Sequence, residues 1–145
     1  MKPCAMRIRR GPAKRGRPVV GLFDTGSDCT LLKEGEALSL ARSELPAPIP
    51  LGGIGGGRAT AREMAVFQVK VLGRWCLCHA MLVPGDAMDV DLLLGEGFLF
   101  QYGLRIDVRR NAVVPEYPEH FRRMASGTLF VHSPIGKRGR GTRRK

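Results

Sequence analysis

Apolar residues fall along this chain in short runs whose spacing is that of strands. Residues 18–23 form a compact apolar run that ends at Asp24, and residues 30–32 form a second one. Ala65, Phe67, Val69 and Val71 alternate with Val66, Gln68 and Lys70, as in a half-buried strand. Gly73 marks a turn, residues 75–83 (WCLCHAMLV) read as the returning strand, and Pro84-Gly85-Asp86 breaks it. Residues 90–95 (VDLLLG) read as an apolar strand stopping at Gly95. Residues 96–102 then predict a short helix closed by Gly103 at its C′ position. Residues 104–108 and 112–114 flank a turn at Arg109-Arg110-Asn111 and predict a last hairpin. Earlier in the chain, residues 34–42 (EGEALSLAR) have the composition of a short helix, which residues 46–50 (PAPIP) are expected to stop. A glycine cluster follows at 51–57 (LGGIGGG). Many short strands separated by turn signals argue for a small all-β barrel or sandwich.

A chain of 145 residues holds one domain with its own core. Its 19 glycines, about twice average usage, suit a fold with many tight turns. The net charge of +11 belongs to the ends. Residues 1–17 carry seven cations and residues 133–145 carry six, neither with an acid, whereas residues 18–132 set eleven cations against 13 acids. The basic ends suit a weak nucleic-acid contact. The 133–145 run has no aromatic residue to stack on a base, so a solvated, unstructured tail is the simpler expectation for it.

Cys4, Cys29, Cys76 and Cys78 show no C-x-x-C spacing. Strand alternation places Cys76 and Cys78 on one face and His79 on the other, which argues for packing and surface roles rather than metal ligation. Trp75, Leu77 and Met81 are expected in the core or against a neighbour. No metal or cofactor is expected, and free thiols suit a reducing, cytoplasmic setting. Neither a signal peptide nor an apolar stretch long enough to span a membrane is visible, so no membrane partner is expected.

Phe23-Asp24-Thr25-Gly26-Ser27-Asp28 (FDTGSD) is the candidate chemistry. An Asp-Thr-Gly by itself is ordinary turn chemistry. Here it follows an apolar strand, and it is followed in order by the glycine cluster, a long hairpin, and Leu93-Leu94-Gly95 opening a short helix. Over roughly residues 5–115 this combination resembles the retropepsin-like (retroviral-type) aspartic peptidases. That family carries D-T/S-G after a buried strand, a glycine-rich flap, and an apolar-apolar-Gly before its one helix. The "LG-x-x-FL" pattern of Leu94, Gly95, Phe98 and Leu99 looks closer to cellular or bacterial members than to viral ones. Ser27 stands where viral members often carry Ala, and Glu96 where they usually carry an arginine that buttresses the active-site loop.

The resemblance implies a small closed all-β barrel and an aspartic endopeptidase that needs no cofactor. Aspartic peptidase chemistry uses two carboxylates sharing a proton, and this chain has one Asp-Thr-Gly. The second Asp24 would therefore come from another copy, in a homodimer with the active site at its interface. Asp24, Thr25 and Gly26 would be the catalytic loop, with Thr25 locking the two loops across the dyad. Ser27 and Asp28 would contact an extended peptide or protein substrate. Gly52, Gly53, Ile54, Gly55 and Gly56 would form the tip of the flap closing over it.

These readings divide the chain into a basic N-terminal segment (1–17), a retropepsin-like domain (18–115), a C-terminal extension (116–132) and a basic tail (133–145). In the family the chain ends build a shared interface sheet, for which residues 4–9 (CAMRIR) and 128–132 (TLFVH) are the candidate strands. Pro118 and Glu119 signal a helix start within the extension. Two other classes of function stay open on the sequence: a catalytically silent dimer of this fold that binds peptides or scaffolds, and a nucleic-acid-associated protein working through its basic ends.

Overall fold

The computed structural model describes residues 1–54 and 57–126. Gly55, Gly56, the 128–132 strand candidate and the 133–145 tail lie outside the described residues. The elements are β1 (Cys4–Arg9), β2 (Arg17–Phe23), β3 (Leu31–Lys33), a 3-10 turn (Glu34–Ala37), β4 (Ala41–Ile54), β5 (Gly57–Val71), β6 (Arg74–Val83), β7 (Leu92–Leu94), α1 (Glu96–Gln101), β8 (Leu104–Asp107), β9 (Ala112–Pro115) and α2 (Pro118–Met124).

Six strands pair in the order β1-β2-β7-β3-β6-β5, and β5 returns to β1 through Ile8↔Val69 and Arg9↔Gln68, which closes the small barrel. β5 is long enough to serve two neighbours on one edge. It pairs β1 near its end and β4 along its first part, forming a long β4–β5 hairpin that reaches Ile54↔Gly57. β8 and β9 form a separate two-stranded ribbon. The alternating residues of β5 and β6 supply the interior: Ala65, Phe67, Val69 and Val71 face Cys76, Cys78, Ala80 and Leu82. Phe98 and Tyr102 of the α1 region and Phe121 of α2 cap this core, their rings in contact, and the Tyr102 hydroxyl donates to the Leu77 carbonyl at 2.7 Å.

The cationic β1 strand follows the same alternation. Met6 and Ile8 are buried while Arg7 points out and Arg9 lies against the surface. This strand, a candidate for an interface sheet, pairs within the chain with β2 over Cys4–Ile8 and is part of the barrel. Phe121 and Ala125 likewise join the main core, so the 116–126 segment packs on the barrel.

Three local expectations are corrected. Residues 34–42 form only one 3-10 turn, after which Ala41 and Arg42 enter β4, because cross-strand pairing with Ala65 and Val66 outweighs weak helix propensity. Residues 46–50 lie inside β4. Pro46 and Pro48 are tolerated because the register shifts between Glu44 and Ile49, where ladder donors are not needed, and Pro50, opposite Thr60, because β4 is an edge strand. The core placement of Trp75 and Leu77 is the third: Trp75 sits on the outer face, stacked by Arg9 at 4.1 Å, and Leu77 beside it is exposed, while Met81 does pack against an apolar cluster.

The core carries a pH-dependent element. Burial pushes the Cys76 thiol up to about 12 and raises Cys78 and the Tyr102 hydroxyl further. Folding therefore favours the protonated forms. Their contribution is complete below the unfolded thiol value of 9.0 and is lost as pH rises toward the folded values. Thermal melts should show stability falling from about pH 9 to 11, by at most about 1.4 kcal/mol per pH unit for each group. Cys76→Ala should fall less steeply over that range. Parallel slopes for the variant and the parent chain would show that the thiol contributes nothing.

Candidate active site

Asp24 leaves β2 where that strand runs parallel to β7, with Phe23 opposite Leu94. The Asp24 amide extends the ladder by donating to the Leu94 carbonyl at 2.9 Å. At the other end of the same strands Asp91 acts as a brace. Its carboxylate accepts from the Val20 amide at 2.8 Å, its amide donates to Val20, and its carbonyl accepts from Lys33. β2, β7 and β3 are thereby locked side by side, and the loop at residues 24–30 must leave from β2 and return into β3 within that frame.

Inside the loop the Ser27 amide donates to the Asp24 carbonyl at 3.3 Å, making a tight turn. The Gly26 amide donates to Asp24 Oδ1 at 2.8 Å, which fixes the carboxylate rotamer and leaves Oδ2 open. Ser27 Oγ donates to the Cys29 carbonyl at 2.7 Å. The loop is then pinned to the start of α1. The Glu96 amide donates to the Ser27 carbonyl at 2.8 Å, and the Gly95 amide donates to Thr30 Oγ1 at 3.1 Å. Thr30 is the one buried polar side chain among the described residues, and this bond satisfies it.

Gly95 makes the arrangement possible. A Cβ there would lie 2.3 Å from the Cys29 carbonyl oxygen and 2.7 Å from that of Ser27, both backbone atoms that cannot swing aside. Its φ of −87° is ordinary, so the requirement is space and not conformation.

Asp24, Gly26, Ser27 and Asp28 share a cleft of about 460 Å³ with Gly52 and Gly53 of the β4–β5 hairpin. Cys29 and the apolar residues Leu31, Pro50, Leu51, Met88 and Leu93 complete its wall. Gly53 is at φ +84°, a left-handed value that glycine adopts without strain. Thr25 is exposed and faces elsewhere, into a depression of about 470 Å³ lined with Asp24, Phe23, Leu99, Phe100 and Val108. The backbone of Ile54 is paired with Gly57, while Gly55 and Gly56 lie outside the described residues. A third hollow, between Asp28, Cys29, Met64, Met81 and Phe98, adjoins the loop.

Among the described residues no group of three His, Cys, Asp or Glu side chains converges, and no helix is long and apolar enough to cross a membrane. Cys76 and Cys78 are interior and His79 is exposed on the opposite face. Sequence reasoning passed over Thr30 as part of an apolar run; a hydroxyl inside such a run was the available signal. The apolar walls from Met88 and Leu93 had no local signal, because they arrive from distant segments. The loop geometry makes a direct prediction. Gly95→Ala should destabilise the chain by about 1–3 kcal/mol or more in urea unfolding. Gly35→Ala, whose Cβ meets nothing within 4 Å, should change stability by less than about 1 kcal/mol.

No family model and no curated protein matches this chain. Solved structures do. The EIAV protease, determined with an inhibitor bound, is similar at 19% identity over 73% of this chain and 91% of that one, with a TM-score of 0.53. The retroviral protease-like domain of Ddi1 from Leishmania major is similar at 14% identity over 80% of this chain and 89% of that one, with a TM-score of 0.50. One is viral and one cellular, and at such identity the likeness concerns the backbone: this chain has a retropepsin-like fold.

Proposed function

We propose that this chain is an aspartic endopeptidase whose active site forms when two copies bring their Asp24 carboxylates together. The observation that carries this reading is the pinned Asp24 loop opening into the same cleft as the β4–β5 hairpin, in a chain with one Asp-Thr-Gly. In the dimer one Asp24 is ionised and takes a proton from a water as that water attacks the peptide carbonyl. The other is protonated and donates to the carbonyl oxygen. The tetrahedral intermediate then collapses, the C–N bond breaks, and a proton passes to the departing nitrogen. Two carboxylates at such proximity cannot both ionise cheaply, so the shared proton is a property of the pair.

An extended peptide lies between the loop and the hairpin, which serves as a flap with Gly52, Gly53, Ile54, Gly55 and Gly56 at its tip. Ser27 and Asp28 meet the substrate backbone, and the apolar wall favours apolar side chains around the scissile bond. The single subunit supports the dimer on a second ground. Phe100 is 86% exposed and Val108 77%, and both border the depression containing Asp24 and Thr25. Large apolar side chains on one face call for a covering surface. Residues 4–9 and 128–132 remain the candidate strands for a shared sheet, and among the described residues the separate β8–β9 ribbon is a further one.

Two variants separate the parts of this proposal. Asp24→Asn should lower cleavage of a peptide library by at least about 100-fold while leaving the sedimentation behaviour of the protein unchanged. Retained turnover in that variant would end the peptidase reading. Ordered dimers with no cleavage by the parent chain would indicate a peptide-binding role instead. Phe100→Asp should shift the protein to monomer in sedimentation and reduce activity in proportion to the dimer lost. A fully active monomer would refute the shared site.

A further inference from the structure

The β1–β2 turn lies at the opposite end of β2 from Asp24. Seven strand residues at about 3.3 Å each put it roughly 20 Å away. There the cations of the N-terminal segment become an organised surface. Arg9 is stacked over the Trp75 ring at 4.1 Å, and its Nε donates to Gln68 Oε1 at 2.6 Å, so its guanidinium is held in one orientation with its outer N–H groups open. Arg7 Nη2 donates to the Gly16 carbonyl at 2.8 Å. Lys70 comes across from β5, its Nζ 5.8 Å from the same Trp75 ring. Arg10, Lys14 and Arg15 stand exposed on the turn itself.

The turn rests on the indole: a Cβ on Gly16 would be 2.8 Å from Trp75, and φ +85° there suits glycine. A cleft of about 430 Å³ lies between the cations Arg9, Arg10, Lys14, Arg15 and Arg17 on one side and Ser39 and Leu40 on the other. Arg17 is paired with Glu36. No acid occurs in residues 1–17 or between Glu63 and Asp86, and Glu63 on β5 is paired with Arg42.

We propose that this end of the barrel binds the phosphodiester backbone of nucleic acid, at a site separate from the Asp24 cleft. Three features favour phosphates over an acidic peptide. The array is arginine-rich, and the planar fork of a guanidinium matches two phosphate oxygens at once. Two of its arginines are held in place before binding, so less side-chain freedom is lost on contact. The cations run without an interleaved acid, which suits a continuous line of charge rather than carboxylates on mobile side chains. Contacts of these cations with phosphate oxygens carry no sequence information, so binding through them is largely independent of sequence.

The test uses the full chain and fluorescence anisotropy of a labelled single-stranded oligonucleotide and of a labelled DNA duplex, from about 50 to 200 mM salt. Arg10→Gln/Lys14→Gln/Arg15→Gln should weaken both by about tenfold or more at the lower salt. It should also flatten the log–log salt slope by about 0.7 per cation for the single strand and about 0.9 for the duplex. Lys70→Gln should act in the same direction from the other hairpin, independently of the turn. A variant neutralising Lys137, Arg138 and Arg140 in the basic tail should keep the hairpin-dependent part of the slope. Unchanged affinity and slope in the turn and Lys70 variants would overturn the proposal. So would displacement of the oligonucleotide by poly-glutamate as readily as by unlabelled nucleic acid, or salt-dependent binding that vanishes with the tail cations alone.

Discussion

The close approach of the residue 24–30 loop to Gly95 is the constraint on which the rest of the site depends. β2 and β3 flank β7 in the sheet, and the loop joining them must pass over the end of β7 where α1 begins. It does so at a distance that leaves no room for a side chain on Gly95. Once there, three backbone groups find partners in one place: the Asp24 amide on Leu94, the Ser27 carbonyl on Glu96, and the Gly95 amide on Thr30. A loop that would otherwise be mobile is bonded at its start, middle and end. The Asp24 carboxylate inherits that rigidity through the Gly26 amide.

The arginine that the viral pattern places after Leu-Gly is absent, and Glu96 occupies the position. The loop is nevertheless held, because the support comes from backbone groups and the Thr30 hydroxyl. Thr25 and Gly26 remain exposed on the face where Phe100 and Val108 also project. Beside Asp24, exposed Phe100 and Val108 share the depression with Glu96 and Arg105, whereas the β1–β2 end, a strand length away, carries a run of cations.

Much of the fold was legible because the responsible signals are local. The alternation across residues 65–83 specifies a hairpin with one buried face, and the turn at Leu72-Gly73 adopts the positive φ values that a tight hairpin needs. Gly103, at φ +62°, closes the helix after Gly95 as its position in the sequence suggested. Residues 34–50 were misread for an equally physical reason. Propensity there is weak, and three prolines are compatible with a strand only if it lies at a sheet edge, which local sequence cannot express. Trp75 was placed by the same kind of ambiguity, since a large aromatic on an alternating strand packs inward or lies under cations according to register.

By itself, the sequence determined the strand-rich character, the Asp-Thr-Gly at a strand end, the presence of a glycine cluster, the Leu-Leu-Gly before a helix, and the segregation of charge to the termini. Each rests on neighbouring residues, through alternation, turn chemistry or composition. Tertiary structure decided which segments meet. Closure of β5 onto β1 makes the ring, a glycine 71 residues after Asp24 supports its loop, and Met88 and Leu93 come to wall the cleft. The N-terminal cations gain order only because Gly16 and Arg9 land on Trp75. Contacts at such separation depend on sheet order and register, which follow from the chain packing as a whole and leave no trace in any one stretch of it.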